Sequence, residues 1–332
     1  MLWVVTGGCG FIGRNLIRSL LHDSQATVRI VDDLSVGTRE DLDAVCRFVE
    51  RGRASTAALS VGARVELFVG DIRDPELAAC VTAEADIVVH LAANTGVAPS
   101  VADPMFDCST NVLGTVTYLD ACRQNGVRRF VFASSGAPIG NAEPPLHEEL
   151  AAHPVSPYGA SKLAGEAYCS AYRHSFGIDT VALRFGNCYG PLSSHKSSIV
   201  AKFIRQAMAG ETWEIYGDGR QTRDFIFVDD VCRAIQMAAT CSGVGGEVFQ
   251  IATNIETTVM ELAERLANVL RGKGVIVPSI NQAAARTGDV QRNYSDTRKA
   301  RSRLGWTAQV ELEDGLQRTA LWFLDRPDRQ AS

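Results

Sequence analysis

Tyr158 and Lys162 stand four residues apart in the run Ser156-Pro157-Tyr158-Gly159-Ala160-Ser161-Lys162, a spacing that places both on one face of a helix. Ser156 as N-cap and Pro157 as first helical residue predict that a helix starts here. A phenol whose ordinary pKa is about 10 is a poor base at neutral pH, but an adjacent ammonium favours its phenolate. Such a pair can move a proton to and from a sugar hydroxyl. Ser134 and Ser135 close the apolar run Phe130–Ala133, where a hydroxyl can bridge a substrate oxygen and the phenol. Ser135 is the expected catalytic residue and Ser134 its support. By itself a Tyr-x-x-x-Lys pair is ordinary on a solvated helix, so its meaning depends on what precedes it.

The chain opens with an apolar strand followed by Thr6-Gly7-Gly8-Cys9-Gly10-Phe11-Ile12-Gly13 and a helical pattern. The run fits GxxGxxG (Gly7, Gly10, Gly13) and also GxGxxG (Gly8, Gly10, Gly13). In either reading the missing Cβ atoms permit a tight turn, let a pyrophosphate reach the backbone and allow close strand–helix packing. Asp32 ends the next strand; a carboxylate there accepts from ribose hydroxyls and repels a ribose phosphate, so NAD is expected in preference to NADP. Asp71-Ile72, after a third strand, either meets the adenine edge or makes a plain turn before Pro75.

These groups need a scaffold, and the hydrophobic pattern supplies one. Apolar runs at Leu2–Thr6, Thr27–Asp32, Val65–Val69, Ile87–Leu91, Phe130–Ser134 and Thr180–Phe185 alternate with helical patterns at Gly13–Leu21, Asn111–Asn125 and Pro157–Phe176. Strands apolar along their whole length and separated by helices predict a doubly wound, Rossmann-type parallel α/β sheet covered on both faces. After Gly190-Pro191 the rhythm breaks. A polar stretch, Ser193–Ser198, leads to a helix at Ile199–Ala209; Asp224–Val228 and Val248–Ile251 read as sheet strands again, and helices follow at Val259–Leu270 and near Leu312–Leu324. The expected organisation is a dinucleotide-binding domain of residues 1–190 plus 224–252 and a smaller α/β substrate domain of 191–223 plus 253–330.

The 332 residues carry 33 basic and 38 acidic side chains, a net charge of −5. That balance disfavours a nucleic-acid coat or a basic membrane patch, so an anionic ligand must meet locally placed Arg, Lys or backbone N–H groups. Nine cysteines at irregular spacing show no metal-ligand or disulfide framework and read as reduced core thiols. There is no charged leader before Leu2, and no apolar stretch reaches the roughly 18 residues of a membrane span; the expectation is a cytoplasmic protein.

Together Thr6–Gly13, Asp32-Asp33-Leu34, Leu91-Ala92-Ala93, Asn111, Ser134-Ser135 and Tyr158–Lys162 resemble the extended short-chain dehydrogenase/reductase family, and within it the nucleotide-sugar epimerases and dehydratases. Leu183–Pro191, Gln221–Phe225 and Arg286–Asp296 continue the likeness. The resemblance implies bound NAD, held by Gly7, Gly10, Phe11, Ile12, Asp32, Asp33, Asp71, Ile72, Leu91, Ala92, Ala93, Tyr158 and Lys162. It also implies a nucleotide sugar, a UDP-sugar above all, met by Ser135, Asn187, Arg223, Arg286 and Asp289. Tyr158 and Ser135 would handle the C4 hydroxyl proton, while Lys162 would hold the nicotinamide ribose and lower the tyrosine pKa. No metal is implied. The segments Asp103–Asn125 and Pro157–Phe176 resemble the helices through which family members dimerise, so a homodimer is expected.

Family dehydratases carry an Asp-Glu pair directly after the catalytic hydroxyl residue, where this chain has Gly136 and Ala137; related decarboxylases carry a Glu at the Ala137 position. Subtraction leaves 4-epimerisation of a UDP-hexose through a transient 4-keto sugar as the leading expectation. A 4-ketoreductase, dehydrogenase or dehydratase is the enzymatic alternative, and a non-catalytic NAD-binding sensor or scaffold the alternative of another class. Pro138-Ile139 stand where family epimerases commonly show Val-Tyr, and Asn293 where narrow-pocket members have Tyr. A hexose, an N-acetylhexosamine and a uronic acid all remain open.

Overall fold

The computed structural model describes residues 1–52, 64–284 and 290–325. Eight strands form one sheet in the order Glu247–Ile251, Asp179–Phe185, Arg129–Ser135, Ile87–His90, Leu2–Thr6, Thr27–Asp32, Val65–Val69, Val49–Arg51. Every neighbouring pair in it is parallel. Alternate side chains leave opposite faces, so Trp3 and Val5 enter one apolar cluster and Leu2 and Val4 the other. The first cluster lies under the helices Phe11–Leu20 and Val228–Thr240, and the second under Pro75–Thr82 and Gly114–Asn125. Ala300, Leu304 and Trp306 also belong to the first cluster.

From Leu2–Thr6 the chain builds the sheet to one side, then returns at Ile87–His90 to build the other. The switch point therefore lies between these two strands, and ligands of doubly wound sheets bind outside the carboxyl ends there. Gly7, Asp32, Leu91 and Ser135 all fall on that edge.

The run Asp224–Val228 departs from expectation. Phe225–Phe227 leaves the main sheet and pairs in parallel with Asn187–Tyr189 as a two-stranded ribbon. Val228 instead opens the helix Val228–Thr240, whose buried Val228, Val231, Cys232 and Ile235 follow a helical period. Asp230 in its first turn is buried and accepts from the backbone of Gln309 and Val310, which a strand could not present. The helix expected at Asn111–Asn125 begins as a π-turn, Ser109–Leu113, before the α-helix Gly114–Asn125. Val49–Arg51 is an edge strand mostly exposed to solvent and so carries no apolar signature.

A third apolar cluster sits beneath the helices Ile199–Ala209, Val259–Arg271 and Leu312–Leu324. Phe203 stacks on Trp213 with ring centres 4.6 Å apart, and the Trp213 indole donates to the Phe203 carbonyl at 2.8 Å. Trp213–Tyr216 pairs with Ile280–Ala283, and Thr222–Arg223 with Thr257–Thr258.

The helix Pro157–Phe176 is tied to the sheet by a buried ion pair. Arg184 donates to both Glu166 oxygens at 2.8 and 2.7 Å, and Ser134 Oγ donates to the same carboxylate at 2.5 Å. Arg184→Met leaves a buried carboxylate with a single hydroxyl partner, an expected loss of about 3–5 kcal/mol, checked by the urea unfolding midpoint.

Candidate active site

Gly7 adopts φ 69°, and a Cβ on it would lie 2.8 Å from the Ala92 nitrogen. A Cβ on Gly13 would lie 2.4 Å from the Gly7 carbonyl oxygen. These contacts press the loop, the helix Phe11–Leu20 and the Leu91–Ala93 segment together. Gly10 caps that helix with no side-chain hydrogen bond, which leaves the amides of Phe11 and Ile12 to an anion. Asp32 accepts from Cys9 N at 2.8 Å and Leu34 N at 2.9 Å; burial raises its carboxyl pKa against these donors. Each of its oxygens keeps a lone pair for a ribose hydroxyl. A dinucleotide fits this cradle. Cys9 packs beneath it as a buried thiol whose pKa burial drives far up, so it is unreactive.

The other expected cofactor contacts divide. Leu91 N donates to Thr6 O and Ala92 N to Thr6 Oγ1, which places both beside Gly7; Ala93 O accepts from Thr95 Oγ1. Asp33 is exposed and holds Ser35 N at 3.0 Å and Ser35 Oγ at 2.6 Å. Asp71 is bound by the Arg73 guanidinium, which holds its carboxyl below the ordinary range. The Ile72 side chain is buried against Gly114, leaving only its backbone for a ligand.

Ser134 and Ser135 leave opposite faces of their strand. Ser134 faces Glu166. Ser135 Oγ accepts from Ala137 N at 3.2 Å, and its hydroxyl lies close enough to the Tyr158 phenol to favour the phenolate. Lys162 is buried, with Nζ donating to Ala133 O at 2.8 Å and lying 5.9 Å from the Tyr158 ring centre. Burial raises the Tyr158 phenol to about 12, opposed by the Ser135 hydrogen bond. Burial lowers the Lys162 ammonium to about 8, opposed by Asp107 and then Glu166. The Ser135 hydroxyl opposes the rise of the phenol, while the Lys162 ammonium is held at the Ala133 carbonyl.

Sequence reading named Asn111 only as part of the family likeness and gave Asp107, Ser161 and Glu166 no role, yet these groups brace the set. Asn111 Nδ2 lies 3.0 Å from the buried Asp107 Oδ1 and 3.1 Å from Ser161 Oγ, and its Oδ1 accepts from Asn94 N at 2.7 Å. Ser161 in turn donates to the Tyr158 carbonyl. Glu166 was the legible one, being four residues beyond Lys162 on the same helix.

At the opposite wall Asn187 is exposed, its backbone N–H donating to Asp224 O at 2.7 Å. Arg223 Nη1 donates to the carbonyls of Thr222 and Val290, both at 2.7 Å. Arg286 and Asp289 lie outside the described residues. The buried Asp224 gathers Thr253, Asn254 and Ser295 around one carboxylate. Asn293 faces the Ser135 turn: a Cβ on Gly136 would lie 3.8 Å from its Nδ2. Ile139 is instead buried.

The NAD dependent epimerase/dehydratase family model matches residues 3–252. A UDP-glucose 4-epimerase of Mycolicibacterium smegmatis is 35% identical over 98% of this chain and 99% of its own length. The structure of a UDP-glucose 4-epimerase of Thermotoga maritima with UDP-glucose superposes with TM-score 0.85 at 32% identity, covering 98% and 99% of the two chains. That of a UDP-glucuronic acid 4-epimerase of Bacillus cereus, with UDP-glucuronic acid and NAD, gives 0.86 at 27% identity and the same coverage. Glycine cradle, ribose carboxylate, Ser-Tyr-Lys set and these likenesses converge: the chain belongs to the NAD-dependent epimerase/dehydratase family.

Proposed function

We propose that the protein is an NAD-dependent UDP-sugar 4-epimerase. The observation that carries this reading is the juxtaposition of Ser135 and Tyr158 beside Lys162, on the sheet edge that holds the glycine cradle, with no titratable side chain at Gly136 or Ala137. Loss of water across C5 and C6 needs a general acid and base at those two positions. C4 inversion does not. Residues 1–190 plus 224–252 are assigned to the cofactor and 191–223 plus 253–330 to the nucleotide sugar.

Gly7, Gly10, Phe11 and Ile12 hold the cofactor diphosphate, and Asp32 its adenosine ribose, flanked by Asp33, Asp71, Ile72, Leu91, Ala92 and Ala93. When bound, NAD supplies a reversible hydride acceptor and, oxidised, a positive charge. Ser135 Oγ holds the sugar C4 oxygen, and Tyr158 Oη takes its proton and later returns it to the opposite epimer. Lys162 Nζ, freed from or shared with Ala133 O, holds the nicotinamide ribose. A phenol near 12 is protonated at neutral pH, and a further positive charge brought beside it would favour the phenolate. Asn187, Arg223, Arg286 and Asp289 are assigned to the nucleoside diphosphate.

The helices facing away from the sheet expose Met105, Phe106, Leu113, Tyr168 and Phe176, an apolar surface that supports a homodimer. Among the described residues no helix is long and apolar enough to cross a membrane. The nine cysteines form no disulfide with one another, which supports a reducing compartment and thus the cytoplasm.

Incubation with UDP-glucose, UDP-N-acetylglucosamine and UDP-glucuronate should give a C4-inverted product from at least one, seen by proton NMR. Net formation of reduced nicotinamide would point to a dehydrogenase instead. Tyr158→Phe should lower kcat roughly a hundred- to ten-thousand-fold.

Lys162→Met tests the electrostatics. Between about 8 and 10.5 the native chain binds fewer protons at Lys162 than the unfolded chain, so this group costs stability fully below 8 and less as pH rises. The variant should lose activity yet melt higher at pH 7, with its advantage shrinking by pH 10. Light scattering should give twice the chain mass, reduced to the monomer by Met105→Glu.

A further inference from the structure

We infer that His195, acting through the buried Asp41–Arg14 ion pair, is a positioning residue that retains the dinucleotide by locking residues 191–196 across the glycine loop. This rests on the NAD reading above. Arg14 lies in the first turns of the helix Phe11–Leu20, and its Nη1 meets Asp41 Oδ1 at 2.9 Å with both side chains 1% exposed. Its Nη2 donates to the Leu192 carbonyl at 2.7 Å, and the neighbouring Asn15 donates to the Pro191 carbonyl at 3.0 Å. The second Asp41 oxygen accepts from His195 Nε2 at 2.9 Å. One carboxylate thus joins three separate parts of the chain: the glycine-loop helix, the segment after Asp32, and the 191–196 segment.

The lock is tight on all sides. Gly37, between Asp32 and Asp41, sits so close to the loop that a Cβ on it would lie 2.0 Å from the Cys9 carbonyl oxygen. Leu192 is held at φ 67°, a left-handed conformation costly for a leucine, and this is the residue whose carbonyl Arg14 grips. Lys196 brings its Nζ to 4.9 Å from the Phe11 ring centre and donates to Cys188 O at 3.3 Å. The gap left among Gly10, Phe11, Gly37, Leu192 and His195 is about 30 Å³, room for no more than a water. Phe11 is the residue whose amide the diphosphate would use, and Asp32 the one its ribose would use. A bound dinucleotide is therefore bracketed by two segments that the Asp41 carboxylate ties to each other and to the helix beneath. The side chain of His195 is 45% exposed, so its replacement opens the tie without emptying the core.

The test is the dissociation rate of NAD from the loaded protein, followed by cofactor released into excess labelled NAD. His195→Ala should release NAD about tenfold faster, the equivalent of 1.4 kcal/mol, and His195→Gln, which can still donate to Asp41, should restore slow release. The KM for the nucleotide sugar, measured with NAD in excess, should stay within about twofold of wild type. An unchanged release rate in His195→Ala, with NAD firmly bound to wild type, would overturn this inference alone. A wild-type protein that does not bind NAD would overturn the cofactor reading and the inference with it.

Discussion

Thr6 and His90 are register partners in adjacent parallel strands, and the rest of the site depends on how tightly the chain closes around them. Thr6 Oγ1 accepts from Ala92 N and meets His90 Nδ1 at 3.0 Å. This draws the segment after one strand onto the glycine turn after the other. The approach is closer than any Cβ at Gly7 would allow. Because the sheet reverses its winding here, the helices diverge from this point and leave a crevice. Ser135 and Asp32 then fall on this edge as the last residues of their own strands.

Buried carboxylates do the remaining assembly, each by accepting hydrogen bonds from several parts of the chain. Glu166 joins the helix of Tyr158 and Lys162 to two strands. Asp224 gathers Thr253, Asn254 and Ser295. Asp41 ties the helix Phe11–Leu20 to His195 through Arg14. A buried charge is tolerated only where its lone pairs are filled, so each of these groups specifies one arrangement of its partners.

The central pair is set against stability. Burial holds the Tyr158 phenol high and the Lys162 ammonium low, so the fold penalises the charged form of each. Both charges become useful only beside a ligand that rewards them. Such opposed shifts in one cleft mark groups positioned for proton transfer. The Asp107–Asn111–Ser161 chain behind them fixes their helix without supplying a competing proton acceptor at the phenol.

Sequence alone determined what depends on local chemistry. The glycine turn, the carboxylate after the next strand, the Ser156-Pro157 helix start, the buried parallel strands and the four-residue Tyr158–Lys162 spacing are all read from neighbours a few residues apart, because backbone sterics and periodicity act at that range. Tertiary structure decided what depends on contacts distant in the chain. It sent Phe225–Phe227 out of the main sheet to pair with Asn187–Tyr189, turned Ser134 to Glu166 and Ser135 to Tyr158, and set Asn293 over Gly136. It also held Lys162 at the Ala133 carbonyl, while the Ser135 hydroxyl opposes the effect of burial on the phenol. Burial and long-range hydrogen bonds have no local signature, and these are the quantities that set a pKa or choose a strand's partner.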